Sequence, residues 1–383
     1  MNQLPAPDSH QLAASQALVA SIRERIHAAG GWLPFSDYMR LALYEPNFGY
    51  YTGGSRKFGA AGDFVTAPEL SSLFGRSMAR PVAQVLAEVG GDVLEIGAGS
   101  GRLAADLLAE LAALGILPAR YRILELSAEL MARQRQTLAE AVPDLLGRVE
   151  WLSALPNGFT GCMVGNEVLD AMPCALLHKV AGEWLERGVG WRDGLVWQDG
   201  PLADPHISDG LAAYDLPDGY LTEVQLEAQA FVASLADCVA QGALILPDYG
   251  FAAAEYYHPQ RDQGTLMCHY RHHSHADPFH LPGLEDITTH VDFSAIWRAG
   301  SEAGWQLEGY TSQASFLLDA GLLDLMREMD VNDPAYFRAA AAVQKLMGPA
   351  EMGELFKVIA FSRNMTLPGL LAGFGRDDRS GAL

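Results

Sequence analysis

Val93-Leu94-Glu95-Ile96-Gly97-Ala98-Gly99-Ser100-Gly101 decides how this chain folds. An apolar run carries one acid into three glycines that alternate with small residues. Residues 102–114, RLAADLLAELAAL, follow with apolar side chains at helical spacing, so the stretch reads as strand, glycine turn and helix. Glycine permits the tight turn and lets a ligand come close to the backbone. The helix start adds unpaired N–H groups and the positive end of a dipole. A ligand that carries a nucleoside suits such a turn.

Tyr121-Arg122-Ile123-Leu124-Glu125-Leu126 reads as the next strand, with Glu125 at its exit, 24 residues past Gly101. In doubly wound sheets an acid about 20 residues beyond the glycine turn accepts hydrogen bonds from ribose hydroxyls. Gly99-x-Gly101-x-x-Ala104 also satisfies the loose dinucleotide pattern, which keeps a nicotinamide dehydrogenase in view. Against it, Glu95-x-Gly97-x-Gly99-x-Gly101 resembles motif I of class I methyltransferases, whose acid lies two residues before the first glycine. An acid there suits a cationic sulfonium and ammonium ligand and would repel a pyrophosphate.

Residues 91–166 alternate strand and helix. Strands are expected at 92–97, 120–126, 148–152 and 161–166, and helices at 101–114 and 127–140, the pattern of a parallel sheet covered on both faces. Before it come a helix at 12–29, closed by Gly30-Gly31, and a second starting near Pro34 with Ser36 as its cap. Residues 43–71 are glycine-rich, non-periodic and hold six aromatic residues. They read as an ordered cap over the cofactor, with a loop packed only for stability as the alternative. Strands at 176–180, 183–189 and 194–198 form an antiparallel insertion. A helix at 223–240, a core strand at 242–250 and an irregular histidine-rich stretch at 251–290 follow. The remainder reads as helix 291–303, strand 305–310, helices 316–329 and 334–347, strand 354–362 and a frayed tail after Pro368. The division expected is a helical N-terminal lobe with its capping loop at 1–90, a core of 91–173 and 242–365, an antiparallel insertion with a helix at 174–241, and a substrate-side insertion at 251–290.

With 383 residues the chain can bury a large core. A formal charge of −21 argues against nucleic acid, whose phosphates need basic patches, and suits a cationic partner or a merely acidic soluble protein. The four cysteines form no CxxC pair and read as reduced, buried thiols. No run has transmembrane length and residues 1–10 show no secretory signal, so a cytoplasmic protein without membrane insertion is expected.

Ligands of open α/β sheets bind beyond the carboxyl ends of the strands. That places Glu95, Gly97, Gly99 and Gly101, Glu125, Asn166-Glu167-Val168-Leu169-Asp170, and Asp248-Tyr249 around one crevice. Asn166, Glu167 and Asp170 follow an apolar strand where a methyl acceptor would lie; the competing reading is helix capping. Thr289 and His290 have the same two readings, a cap for the next helix or an acceptor-orienting pair. His269, His272, His273, His275 and His280 crowd beside Cys268 and Asp277, but their spacing matches no zinc template, and no metal is expected.

The residues then resemble a known family. Leu43-Tyr44-x-Pro46-x-x-Gly49-Tyr50-Tyr51, Gly62-Asp63-Phe64-x-Thr66-Ala67-Pro68-Glu69, the glycine motif, Asn166-Glu167-x-Leu169-Asp170-Ala171-x-Pro173, Asp248-Tyr249-Gly250, and Gly264-Thr265-Leu266 through Thr289-His290-Val291-Asp292-Phe293 are similar to the MidA-like class I methyltransferases. That family includes the mitochondrial complex I assembly-factor proteins and bacterial relatives. The resemblance implies a Rossmann-like, seven-stranded, mostly parallel sheet and an S-adenosyl-L-methionine-dependent enzyme that methylates an arginine of a partner protein. A respiratory complex I subunit is the implied partner, and a homodimer is allowed. It implies that Glu95, Gly97, Gly99, Gly101, Glu125 and Asn166, with Asp63, Thr66, Pro68 and Glu69, hold the cofactor. Glu167 and Asp170 would grip the guanidinium, with His290 secondary; paired carboxylates can hold two nitrogens and draw positive charge from the attacking one. Transfer to a small molecule and a non-catalytic assembly factor are the alternatives.

Overall fold

A computed structural model describes residues 4–53 and 65–383, which divide into two compact units. The expected capping loop lies partly outside the described residues, and Asp63 with it. One unit comprises Val65–Val168, Gln229–Ala252 and Phe293–Leu383. Its sheet runs in the order Gln306–Ser312, Phe356–Arg363, Val239–Phe251, Phe159–Val164, Asp92–Ile96, Tyr121–Leu124, Val149–Leu152. The pairs from Val239–Phe251 to Val149–Leu152 are parallel, and Phe356–Arg363 is antiparallel to both of its neighbours.

Helices Ser72–Val89 and Arg102–Ala113 cover the sheet with Phe74, Met78 and Val82 from one and Ala104, Leu107, Leu108 and Leu111 from the other. The second set recurs at three, four and seven residues, the stripe a core-facing helix presents. Strand order reverses between Asp92–Ile96 and Phe159–Val164, because the chain leaves these two strands toward opposite edges. Such a switch point opens a crevice at the carboxyl ends of the two strands. Residues 97–101 and 165–168 occupy those ends.

Residues 65–90, expected with the N-terminal lobe, pack in this unit. So does the segment after Pro368, which is not a frayed tail. Leu371 and Phe374 are buried, Phe374 meets Phe316 edge-on at 5.5 Å, and the Arg379 guanidinium reaches Glu354 at 2.8 Å. The helix expected at 316–329 is two, Gln313–Asp319 and Leu322–Arg327, parted at Gly321.

The second unit comprises residues 4–53, 169–228 and 253–292. Its larger sheet is antiparallel, in the order Trp32–Pro34, Glu183–Trp191, Ala175–Val180, Leu221–Val224, with Leu195–Gly200 also on Glu183–Trp191. Helices Ser9–Ala28 and Phe35–Tyr44 bury Leu18, Ile22, Phe35, Tyr38 and Met39 against Leu176 and Val189. Ser36 is not a cap, since it lies inside the second helix, whose start at Pro34 has no side-chain cap. The stretch 251–290 is not irregular throughout. Met267–Tyr270 pairs antiparallel with His273–His275 on one side and Asp286–Thr288 on the other.

Candidate functional site

The glycine loop is built as its sequence demands. Gly97, Gly99 and Gly101 all have positive φ, at 67°, 51° and 83°. At Gly101 a Cβ would also stand 3.0 Å from the Gln134 Cα, so a side chain there meets both backbone strain and a tight contact. The loop delivers the chain into Arg102–Ala113, whose first N–H groups have no intrahelical partner.

Glu125 stands beside this loop. Its Oε1 accepts from Ser127 N at 2.8 Å and its Oε2 from Gln134 Nε2 at 2.9 Å. The same Gln134 nitrogen donates to Gly99 O at 3.1 Å, and Trp151 Nε1 donates to Gln134 Oε1 at 2.9 Å. An ionised carboxylate has about four acceptor positions, so two such bonds leave capacity for ribose hydroxyls. Gln134 had escaped sequence reasoning. Its signal is a polar residue four positions before Leu138, both buried on the inner face of Ala128–Ala141.

Glu69 comes from a short helix, Ala67–Leu70, that follows Thr66 and has Pro68 in its first turn. Its carboxylate accepts from Ser100 Oγ, which joins it to the glycine loop. Glu95 behaves otherwise. It is buried, its Oε2 accepts from Tyr121 OH at 2.6 Å, and burial raises its pKa to about 7 against the pull of that hydroxyl. That burial and that bond weigh against the expected contact of Glu95 with a cationic ligand. Its strand position turns the carboxyl toward the neighbouring strand, where it is largely a core group.

After Phe159–Val164 no helix intervenes before Ala175–Val180, which removes the capping reading of Asn166 and Asp170. Asn166 Nδ2 donates to Glu167 Oε1 at 2.9 Å, while the buried Asn166 Oδ1 has no hydrogen bond. Glu167 adopts φ 52°, and its N–H donates to Pro247 O at 3.0 Å. Asp248 fastens the same turn: its Oδ2 accepts from Val168 N at 3.1 Å and its Oδ1 from Tyr249 N at 2.9 Å. A non-glycine residue in the left-handed region at a strand exit is strain held by its surroundings.

Asp170 and His290 belong to the other unit. There Asp170 O accepts from Thr289 N at 3.0 Å. Thr289 and His290 lie between Asp286–Thr288 and Val291–Asp292 rather than capping Phe293–Glu302. Gln225 holds them: its Nε2 donates to Thr289 Oγ1 at 3.1 Å and to His290 O, and its Oε1 accepts from Asp292 N at 2.9 Å. The buried Glu223 accepts from Thr265 N at 2.7 Å, and Thr265 Oγ1 accepts from His290 N at 3.0 Å. Neither Gln225 nor Glu223 had been singled out in the sequence.

Similarity to known proteins runs along the whole chain. A family model described as "putative S-adenosyl-L-methionine-dependent methyltransferase" matches residues 75–311. The Caenorhabditis elegans "protein arginine methyltransferase NDUFAF7 homolog, mitochondrial" is 28% identical over 329 residues, which cover 78% of this chain and 75% of that one. The Danio rerio "protein arginine methyltransferase NDUFAF7, mitochondrial" is 27% identical over 383 residues, covering 90% and 86%. A Burkholderia thailandensis protein, crystallised with S-adenosyl-homocysteine, is 54% identical over 100% of both chains with a TM-score of 0.97. The mitochondrial names of the curated relatives overturn the cytoplasmic expectation. Among the described residues no helix is long and apolar enough to cross a membrane.

Proposed function

This chain belongs to the family of S-adenosyl-L-methionine-dependent methyltransferases, and from that premise we propose that it methylates an arginine side chain of a partner protein. Its fold is the α/β fold of class I methyltransferases, and S-adenosyl-L-methionine is its cofactor. The residues at the switch point suit that cofactor. Three glycines allow close approach, Glu125 suits the ribose hydroxyls, and Asn166 Oδ1 is a buried acceptor in want of a donor. Thr66, Pro68 and Glu69 are assigned to the same site, Glu69 through its bond to Ser100.

The observation that carries the arginine reading is Glu167, an acid kept in a strained conformation at the strand exit by Asn166, Pro247 and, through Val168, Asp248. Such strain at a strand end is the mark of a group whose direction matters. The names of the curated relatives point the same way.

The cofactor supplies an electrophilic methyl group on a sulfonium. What remains for the chain is positioning and charge. A guanidinium has a pKa above about 12 and a delocalised lone pair, so it attacks poorly unaided. Glu167 accepts guanidinium N–H bonds, localises positive charge on the held nitrogens and leaves the third to attack. Asp170 and His290, which the sequence reading joined to Glu167, lie in the other unit. As the N–CH3 bond forms, the S–CH3 bond would break with its electron pair left on sulfur, and the methylated nitrogen, made acidic by the transfer, would give its extra proton to solvent. A respiratory complex I subunit is the partner class proposed with this reading.

The test is incubation with labelled S-adenosyl-L-methionine and a lysate from cells lacking this protein, followed by mass spectrometry of the labelled product. Methyl-arginine in a protein is expected, and Glu167→Gln should abolish it while binding S-adenosyl-homocysteine as before. Label confined to a small molecule, or full turnover by the glutamine variant, refutes the reading.

A further inference from the structure

We propose that Cys268, His275 and Glu285 form a binding site for a zinc-class divalent metal ion. The sequence spacing hides it, because one ligand lies outside the histidine-rich run and only strand pairing brings it in. Cys268 and His275 are direct cross-strand partners. Ile287 pairs with Cys268 on the other side, and Glu285 lies two residues before Ile287. Side chains two apart share a face, so all three point to one side of this small sheet.

One ligand atom from each residue lies within 4.8 Å of the other two, and His275 Nε2 is 3.3 Å from Glu285 Oε1. With zinc–ligand bonds of about 2.0–2.3 Å, the edges of a tetrahedron are ~3.3–3.8 Å, so small side-chain adjustments close the set. Cys268 and Glu285 are buried, His275 is nearly so, and Cys268 belongs to the apolar core of its unit. A thiol and a carboxyl side by side in such a place are costly if both ionise. A dication balances a thiolate and a carboxylate to zero net charge. The mixed sulfur, nitrogen and oxygen donors suit zinc, whereas calcium and magnesium take oxygen alone and soft copper(I) favours sulfur.

Binding forms metal–sulfur, metal–nitrogen and metal–oxygen bonds and releases the Cys268 thiol proton to solvent. His275 Nε2 makes no hydrogen bond, while its Nδ1 accepts from Asp277 N at 3.3 Å. Metal at Nε2 places the ring proton on Nδ1, so the Asp277 N–H that now donates to Nδ1 turns aside when the metal binds. Three protein ligands leave a fourth position for water. The ion would pin the hairpin at residues 267–275 to the strand at 286–288.

The experiment is cobalt(II) titration of the full chain after chelator treatment, read in the near-ultraviolet for the sulfur-to-cobalt charge-transfer band and in the visible for tetrahedral cobalt. The expected result is saturation at about one cobalt per chain, with zinc displacing the signal. Cys268→Ser should abolish the band, and Glu285→Gln should weaken apparent affinity about tenfold or more. Circular dichroism reports whether each variant folds. No band in the parent chain at saturating cobalt overturns the site, as does a band that survives in Cys268→Ser. Should that variant not fold, unchanged affinity in Glu285→Gln overturns it instead.

Discussion

Replacing Glu95 with glutamine separates a core role from a ligand role. The carboxyl is buried on Asp92–Ile96 and accepts one hydrogen bond, from Tyr121 OH at 2.6 Å. Burial raises its pKa from the ordinary 4.5 to about 7. Below about pH 4.5 both folded and unfolded chains carry the proton, and Glu95 has no effect on pH dependence. Between that value and about 7 the unfolded chain releases the proton while the folded chain keeps it, so stability falls as pH rises. Above about 7 the loss is complete. At ~1.4 kcal/mol for each unit, the window is worth about 3 kcal/mol. Glutamine keeps an acceptor for Tyr121 and never ionises. The stability of Glu95→Gln relative to the parent should therefore climb by about 3 kcal/mol between about pH 4.5 and pH 8. Guanidinium chloride unfolding, followed by tryptophan fluorescence across that range, measures it. Calorimetry should find the affinity for S-adenosyl-homocysteine unchanged. A stability difference that ignores pH, or a tenfold loss of affinity, would refute a buried, neutral Glu95.

Three more outcomes are expected. Gln134→Leu removes the group that ties Glu125 to Gly99, and S-adenosyl-homocysteine affinity should fall about tenfold, ~1.4 kcal/mol, by calorimetry; an unchanged value would mean that Ser127 alone suffices. Gly101→Ala must place a side chain at φ 83° and 3.0 Å from the Gln134 Cα, so it should cost about 1–3 kcal/mol, seen as a lowered melting temperature. Phe374→Ala should cost about 3–5 kcal/mol in denaturant unfolding. A cost near zero would mean that the segment after Pro368 is not packed as described.

The parallel part of the sheet was most legible where an apolar strand is followed by a helix of 3.6 periodicity, as after Asp92–Ile96 and Tyr121–Leu124. Residues 92–96 and 102–113 declare themselves within one short stretch of chain. The small sheet at 267–288 was hidden by the brevity of its strands, which carry histidine, serine and aspartate where a strand signal expects branched apolar residues. Trp32–Pro34 was missed for the same reason, with a proline that reads as an edge or a turn. The segment after Pro368 looked loose because Leu371 and Phe374 stand among glycines, and only the position of Phe316 shows what they fill. The place of Glu125 beside the glycine loop followed from spacing alone. The bond of Glu95 to Tyr121 was not legible, because Tyr121 is 26 residues away and becomes a neighbour only when the strands pair.

The place of Phe356–Arg363, between Val239–Phe251 and Gln306–Ser312, has a consequence for biosynthesis. Ribosomes deliver this strand last among those of its sheet. Until it clears the exit tunnel, Val239–Phe251 offers Ala243-Leu244-Ile245-Leu246 with the edge toward Phe356–Arg363 unmatched, and unmatched edges recruit strands from other molecules. Until then that edge is a place where nascent chains can pair with one another. A chain cut short before Phe356 would keep that edge open for good.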